Sequence, residues 1–203
     1  MAINEGLGHV YITGDVSGTV DLNPSGGGGT TSTADIYVLE LDTSTGSFVD
    51  ATFEVLPNSQ SLSVTTGGAA LWEVAITETV GSDVTGYRWN PTGLSIPETD
   101  VALSAVAFTD FTGFPTYVYG GFSETSTPYG FSVNNPPDKD CMIVGFDEVN
   151  QPRWLINGAS VFGGSCKIRS VTTKGHILQV VGEVSSLGAV FSSNLVSGCA
   201  TFL

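Results

Sequence analysis

The chain holds two imidazoles, His9 and His176, each directly after a glycine in the phrases GHVY and GHIL. Imidazole titrates near neutrality and is the readiest general base or metal ligand. Neither histidine belongs to an HExxH motif, and no serine stands in GxSxG. They occupy one position in two copies of a phrase, so they read as turn residues on separate units. The thiols Cys141, Cys166 and Cys199 lack CxxC or CxxH spacing, and their odd number leaves one unpaired in any disulfide scheme. Their apolar, strand-like surroundings point to buried, reduced thiols. Twenty carboxylates offer material for a glycosidase pair, yet no local pattern selects two of them. Asp42 and Asp147 lack the spacing of an EF-hand loop and read as the first residues of β-turns, accepting backbone N–H groups. No catalytic residue, metal ligand or cofactor is therefore expected.

Twenty acidic residues against six basic ones give a net charge of −14. Such a surface repels phosphate backbones and anionic membranes, which excludes nucleic acid and membrane insertion as partners. No run approaches the 18 apolar residues of a membrane span. The opening MAINEGLGHV has neither the basic stretch nor the apolar run of a secretory leader. Recognition chemistry is left. Tyr119, Tyr129, Phe131 and Trp154 offer aromatic faces on which a sugar ring could stack beside Asp, Asn and Ser. The competing reading is that they fill strand faces. The run ending in Phe202-Leu203 is apolar and reads as an assembly contact.

The elements that position these residues are strands. Apolar residues come in short bursts rich in Val, Phe, Ile and Tyr, and 26 glycines punctuate them. The phrase GHVYITGDVSGTVD over 8–21 returns in damaged form as YVYGGFSE (117–124) and GHILQVVGEVSS (175–186). Aligned on Gly14, Gly120 and Gly182, the first interval is 106 residues (120 − 14). The alternating strand DIYVLELD (35–42) returns as DCMIVGFD (140–147), an offset of 105 (140 − 35). Two markers with nearly one interval define a repeat of about twice 50 residues. Strands are also expected over 47–55, 60–66, 69–78, 87–90, 101–113 and 152–156. The middle of the chain is less regular. Four glycines at 26–29 read as a surface turn, since no GK[ST] follows them.

The phrases GHVYITGDVSGTVDLNP, DIYVLELDTSTGSF and DKDCMIVGFDEVNQPRW resemble the bacterial β-propeller repeats called SBBP, over roughly 8–50 and 101–186 but poorly over 51–100. The usual lysine of the second motif is Glu40 in one copy and Gly145 in the other. The resemblance implies exported, cell-surface or structural proteins, many without an assigned activity. The expectation is an all-β, propeller-like array of about four degenerate antiparallel blades, open or completed by oligomerisation. It forms a single domain over 1–203, with its clearest units at about 8–50, 101–160 and 165–203. The expected function is that of a non-enzymatic structural subunit of a virion (capsid-associated, decoration or spike) or of a surface array. Its partners are other structural subunits in a homo- or hetero-oligomer, at a virion or extracellular surface. A glycan-binding attachment module is the alternative, and a glycoside hydrolase or lyase a distant third.

Overall fold

The computed structural model describes residues 1–23, 30–31, 34–68, 70–111, 114–125, 127–133, 140–160, 165–174, 177–184 and 189–195. Period-two alternation of β-branched and aromatic side chains suits a pleated backbone, and these residues are all-β. The strands are β1 (Ala2–Asn4), β2 (His9–Asp15), β3 (Val20–Asp21), β4 (Thr30–Thr31), β5 (Ile36–Asp42) and β6 (Phe48–Glu54). There follow β7 (Ser59–Gly67), β8 (Ala70–Val80), β9 (Asp83–Asn90), β10 (Gly93–Thr99), β11 (Val101–Phe111) and β12 (Phe114–Ser123). The last are β13 (Asp140–Asp147), β14 (Pro152–Ser160), β15 (Cys166–Lys174), β16 (Ile177–Val184) and β17 (Ala189–Leu195). A single 3-10 turn, Pro128–Gly130, is the one helical element among the described residues.

All pairings are antiparallel. The first sheet runs β1-β2-β5-β6, the second β7-β8-β9-β10, and the third β11-β12-β13-β14 with β17 added beside β14. The β15–β16 hairpin and the short β3–β4 pair form separate two-stranded sheets, and among the described residues no sheet closes on itself.

Register shows the repeat more clearly than residue identity does. In β7–β8 the pairing steps from Ser61↔Ile76 to Ser63↔Ala75, a bulge of one extra residue. The same step occurs from Leu103↔Gly121 to Ala105↔Gly120, and from Ile168↔Gly182 to Ser170↔Val181. The next pairings agree: Gly14 faces Tyr37, Ile76 faces Tyr87, and Gly121 faces Met142. Gly14, Ile76, Gly121 and Gly182 are therefore equivalent. This corrects the alignment on Gly120, because the Gly120-Gly121 pair let either glycine serve as marker. It also corrects the irregular middle, since residues 59–99 form a complete second sheet. That sheet carries Ile76 in place of the marker glycine and turns tightly at Asn90–Gly93, so the motif residues are missing while the register survives.

The offset of 105 between β5 and β13 extends to their bulges, which fall at Glu40/Leu41 and at Gly145/Phe146. Each strand ends in an Asp that organises the turn. Asp42 Oδ1 accepts from the Ser44 and Thr45 N–H groups, and Asp147 Oδ1 from those of Val149 and Gln151. The hydroxyls of Ser44 and Thr45 hold the Asp42 pKa down at about 2.

The sheets stack in chain order. Tyr11, Ile36 and Val38 of the first pack against Val64, Trp72, Val74, Ile76 and Trp89 of the second. Leu103, Tyr117, Tyr119, Val144 and Phe146 of the third make the core facing the second sheet, with Ala75 reaching into it. The opposite face of the third, with Val118, Cys141 and Ile143, is covered by Cys166, Ile168 and Val171 of the hairpin. Each fully buried aliphatic or aromatic side chain contributes about 1.5–3 kcal/mol. The stacking therefore holds most of the fold.

Candidate functional site

The bulges leave backbone groups without ladder partners, and buried backbone groups must be satisfied. At the bulges of β7, β11 and β15 the neighbouring sheet supplies a partner. At the first junction Asp15 Oδ1 accepts from the Ser61 N–H at 2.8 Å and from its hydroxyl at 3.2 Å. At the second, Thr77 stands at the position equivalent to Asp15. It accepts from the Leu103 N–H at 2.9 Å and donates to the Leu103 carbonyl at 2.8 Å. At the third, the equivalent residue is Phe122, which has no polar atom to offer. Ser104 takes over, donating its hydroxyl to the Ile168 carbonyl. A second contact also recurs: Thr66 Oγ1 donates to the Ile3 carbonyl at 3.0 Å, and Thr173 Oγ1 to that of Phe108 at 2.6 Å.

The second junction carries a buried charge pair. Glu73 of β8 and Arg88 of β9 are both fully buried. Arg88 Nε donates to Glu73 Oε1 at 2.7 Å and to the Tyr119 hydroxyl at 3.1 Å, while Tyr119 donates to Glu73 Oε1 at 2.5 Å. The guanidinium lies 4.7 Å from the Phe146 ring centre and 5.2 Å from that of Tyr119. Burial works against the Arg88 charge, but Tyr119 and Glu73 more than offset it, so its pKa stands above the ordinary value. Burial, reinforced by Glu73, pushes the Tyr119 hydroxyl well up. A carboxylate, a guanidinium and a phenol resemble catalytic material. Sealed between two sheets, they act as an interlock. The sequence cue that would have revealed them is a charged residue set among bulky apolar neighbours, Glu73 within LWEVAI and Arg88 within YRW.

The proposed stacking platforms need correction. Tyr119 is 0% exposed and Tyr129 8%, and Phe131 is buried with them, so none can meet a sugar ring. Tyr129 packs edge-on to Phe146 with centroids 5.0 Å apart, and its buried hydroxyl has no hydrogen-bond partner among the described residues. Trp154 is half-buried. It lies over Gly145, where an added Cβ would stand 2.3 Å from its ring, and it packs against the core beneath the hairpin. The reduced-thiol expectation is also overturned. Cys141 and Cys166 form a disulfide with Cα atoms 4.8 Å apart, because β15 lies across the face of β13. Cys199, His176, Phe202, Leu203 and the glycine run fall outside the described residues.

His9 Nδ1 is hydrogen-bonded to Glu40 Oε1, which also accepts from the Tyr11 hydroxyl at 2.9 Å. Burial and then Glu40 push the Tyr11 pKa up. A shallow cleft of about 240 Å³ opens elsewhere, lined by Asp15, Val16, Ser17, Asp35, Asn58 and Ser59. Asp15 is already engaged with Ser61 there. Among the described residues no three His, Cys, Asp or Glu side chains are grouped to hold a metal ion. The chain matches no protein-family model, no curated protein and no solved structure.

Proposed function

We propose that the chain is an open, propeller-like array of β-meander units, serving as a non-enzymatic structural subunit of a virion or extracellular surface assembly through protein–protein contacts. One observation carries this reading: among the described residues, the buried charge pair and the polar side chains at the bulges join sheet to sheet. Glu73, Arg88 and Tyr119 interlock the second junction, while Asp15, Thr77 and Ser104 satisfy the bulges. The Cys141–Cys166 disulfide supports an oxidising location such as an extracellular surface. Glycan attachment keeps one observation in its favour, the polar cleft at Asp15, Asp35, Asn58 and Ser59.

Two measurements on the purified chain decide between them: solution mass by light scattering across a concentration series, and binding to a glycan array. Growth above the chain mass of 21.0 kDa without glycan binding is the expected result. A strictly monomeric chain that binds a defined glycan overturns the assembly reading.

A further inference from the structure

Every internal junction joins the same two faces, in the same register. One is the face bearing the positions of Tyr11, Glu73 and Val118, which are 0%, 0% and 1% exposed. The other bears the positions of Val74 and Tyr119, both 0% exposed. At the two ends of the described array these faces lack their counterparts. The second sheet covers one face of the first. The face turned away carries Ile3, Val10, Ile12, Leu39 and Leu41, in the register of Phe108, Tyr117, Tyr119, Val144 and Phe146. The four partners of Ile3 are only half-buried, and Ile3 itself is 54% exposed. At the other end, β16 shows Gln179, Val181 and Glu183 to solvent, with Glu183 neutralised by an ion pair to Arg169, and Val181 is 65% exposed. The residues in register with Val181 are Thr13, Ala75 and Gly120, and Ile168 and Val171 pack directly on Gly120.

We propose that these two ends are the halves of one further junction, made between two copies of this chain. The outer face of the first sheet in one copy seats on the β15–β16 hairpin of the next. This rests on the assembly reading and names its partner. A second copy fits for three reasons. Faces in the equivalent registers already pair three times within the chain, so the backbone plan of the junction is in place at both ends. The row on the first sheet bears no carboxylate, although the chain carries a net charge of −14 that otherwise keeps copies apart. Stacked repeats also need polar caps on their terminal faces to stay single, and an aliphatic row is not one. The contact is head-to-tail, so it extends to a ring or a filament.

The experiment uses the full chain with Ile3→Arg or Val181→Arg, both at exposed positions. Wild type is expected to grow in mass with concentration, and each variant alone to stay at 21.0 kDa. An equimolar mixture is expected to stop at twice that mass, since each variant keeps the face the other has lost. Circular dichroism melts check that both variants fold. As a second measurement, Ile3→Cys and Val181→Cys chains, each also carrying Cys199→Ser, should be joined by a flexible bismaleimide only when mixed, since the register puts both positions on the one junction without direct contact. Oligomers that survive either arginine overturn head-to-tail docking while leaving the assembly reading standing. A wild type monomeric at every concentration overturns the docking too, and the glycan array then decides the assembly reading separately.

Discussion

The junction between the second and third sheets and the one between the third sheet and the β15–β16 hairpin share a backbone plan and differ in what fills it. Both join a bulged first strand to the preceding sheet, with equivalent pairings at Leu103↔Gly121 and Ile168↔Gly182. The first is filled by a charge pair, a phenol and aromatic rings packed edge-on. The second is filled mainly by aliphatic side chains with Trp154 at the edge, a disulfide, and the Ser104 and Thr173 hydroxyls. Register is set by hydrogen bonds that any residue can make. Filling has to conserve volume and satisfy polar atoms, and many side-chain sets do both. The repeat therefore persists in the backbone after it has faded from the side chains.

Breaking the charged junction should have the largest effect. Arg88→Met leaves Glu73 buried and unpaired, which costs about 3–5 kcal/mol. Changing both residues, Glu73→Leu with Arg88→Met, should recover most of that loss in urea unfolding. If the double variant is no more stable than the single one, Glu73 and Arg88 are not acting as a pair. At the other junction, Cys141→Ala with Cys166→Ala opens a crosslink spanning 25 residues and should cost about 2–4 kcal/mol. Reducing agent should destabilise wild type by a similar amount and leave the double alanine variant unmoved.

The bulge contacts sharpen the comparison further. Thr77→Val strands the buried Leu103 N–H at a cost of about 1–3 kcal/mol. Ser104→Ala leaves a carbonyl unmet, which proteins tolerate better than a lone N–H, so it should cost less. Equal losses in thermal melts would show that the two bulges are held by packing and not by these bonds. The smallest expected effect concerns the turn common to the first and third sheets. Asp42 should titrate by NMR with a midpoint at about 2, where an unpaired aspartate titrates near 3.8. Because its folded pKa is lowered, its contribution is complete above the unfolded value. That contribution fades as pH falls from about 3.8 through about 2, and Asp42→Asn should abolish this transition at the Ser44 and Thr45 amides.

The same contrast explains what could be read from the chain. β5 and β13 were legible because alternation places Ile36 and Val38 on one face, and because a turn-forming Asp ends each strand. The second sheet was hidden by Ile76 at the marker position, although the turn residues Gly67-Gly68 and Pro91 bracket the expected strands 60–66, 69–78 and 87–90. Tyr119 and Tyr129 look alike whether exposed or sealed, since exposure depends on which sheet lies opposite. The disulfide had no local cue, because Cys141 and Cys166 meet only through the crossing of β15 over the third sheet. The end faces could not be located until register had shown which positions are equivalent.

β17 has a consequence for folding kinetics. Most ladders here join strands adjacent in the chain, so they close short loops and can form early. β17 instead pairs with β14, from Trp154↔Leu195 to Ser160↔Ala189, across the whole β15–β16 hairpin. Its ladder closes the longer loop, and the hairpin between them must find its place on the third sheet for that loop to stay compact. During refolding, hydrogen-exchange labelling should therefore protect β11 to β13 ahead of β17.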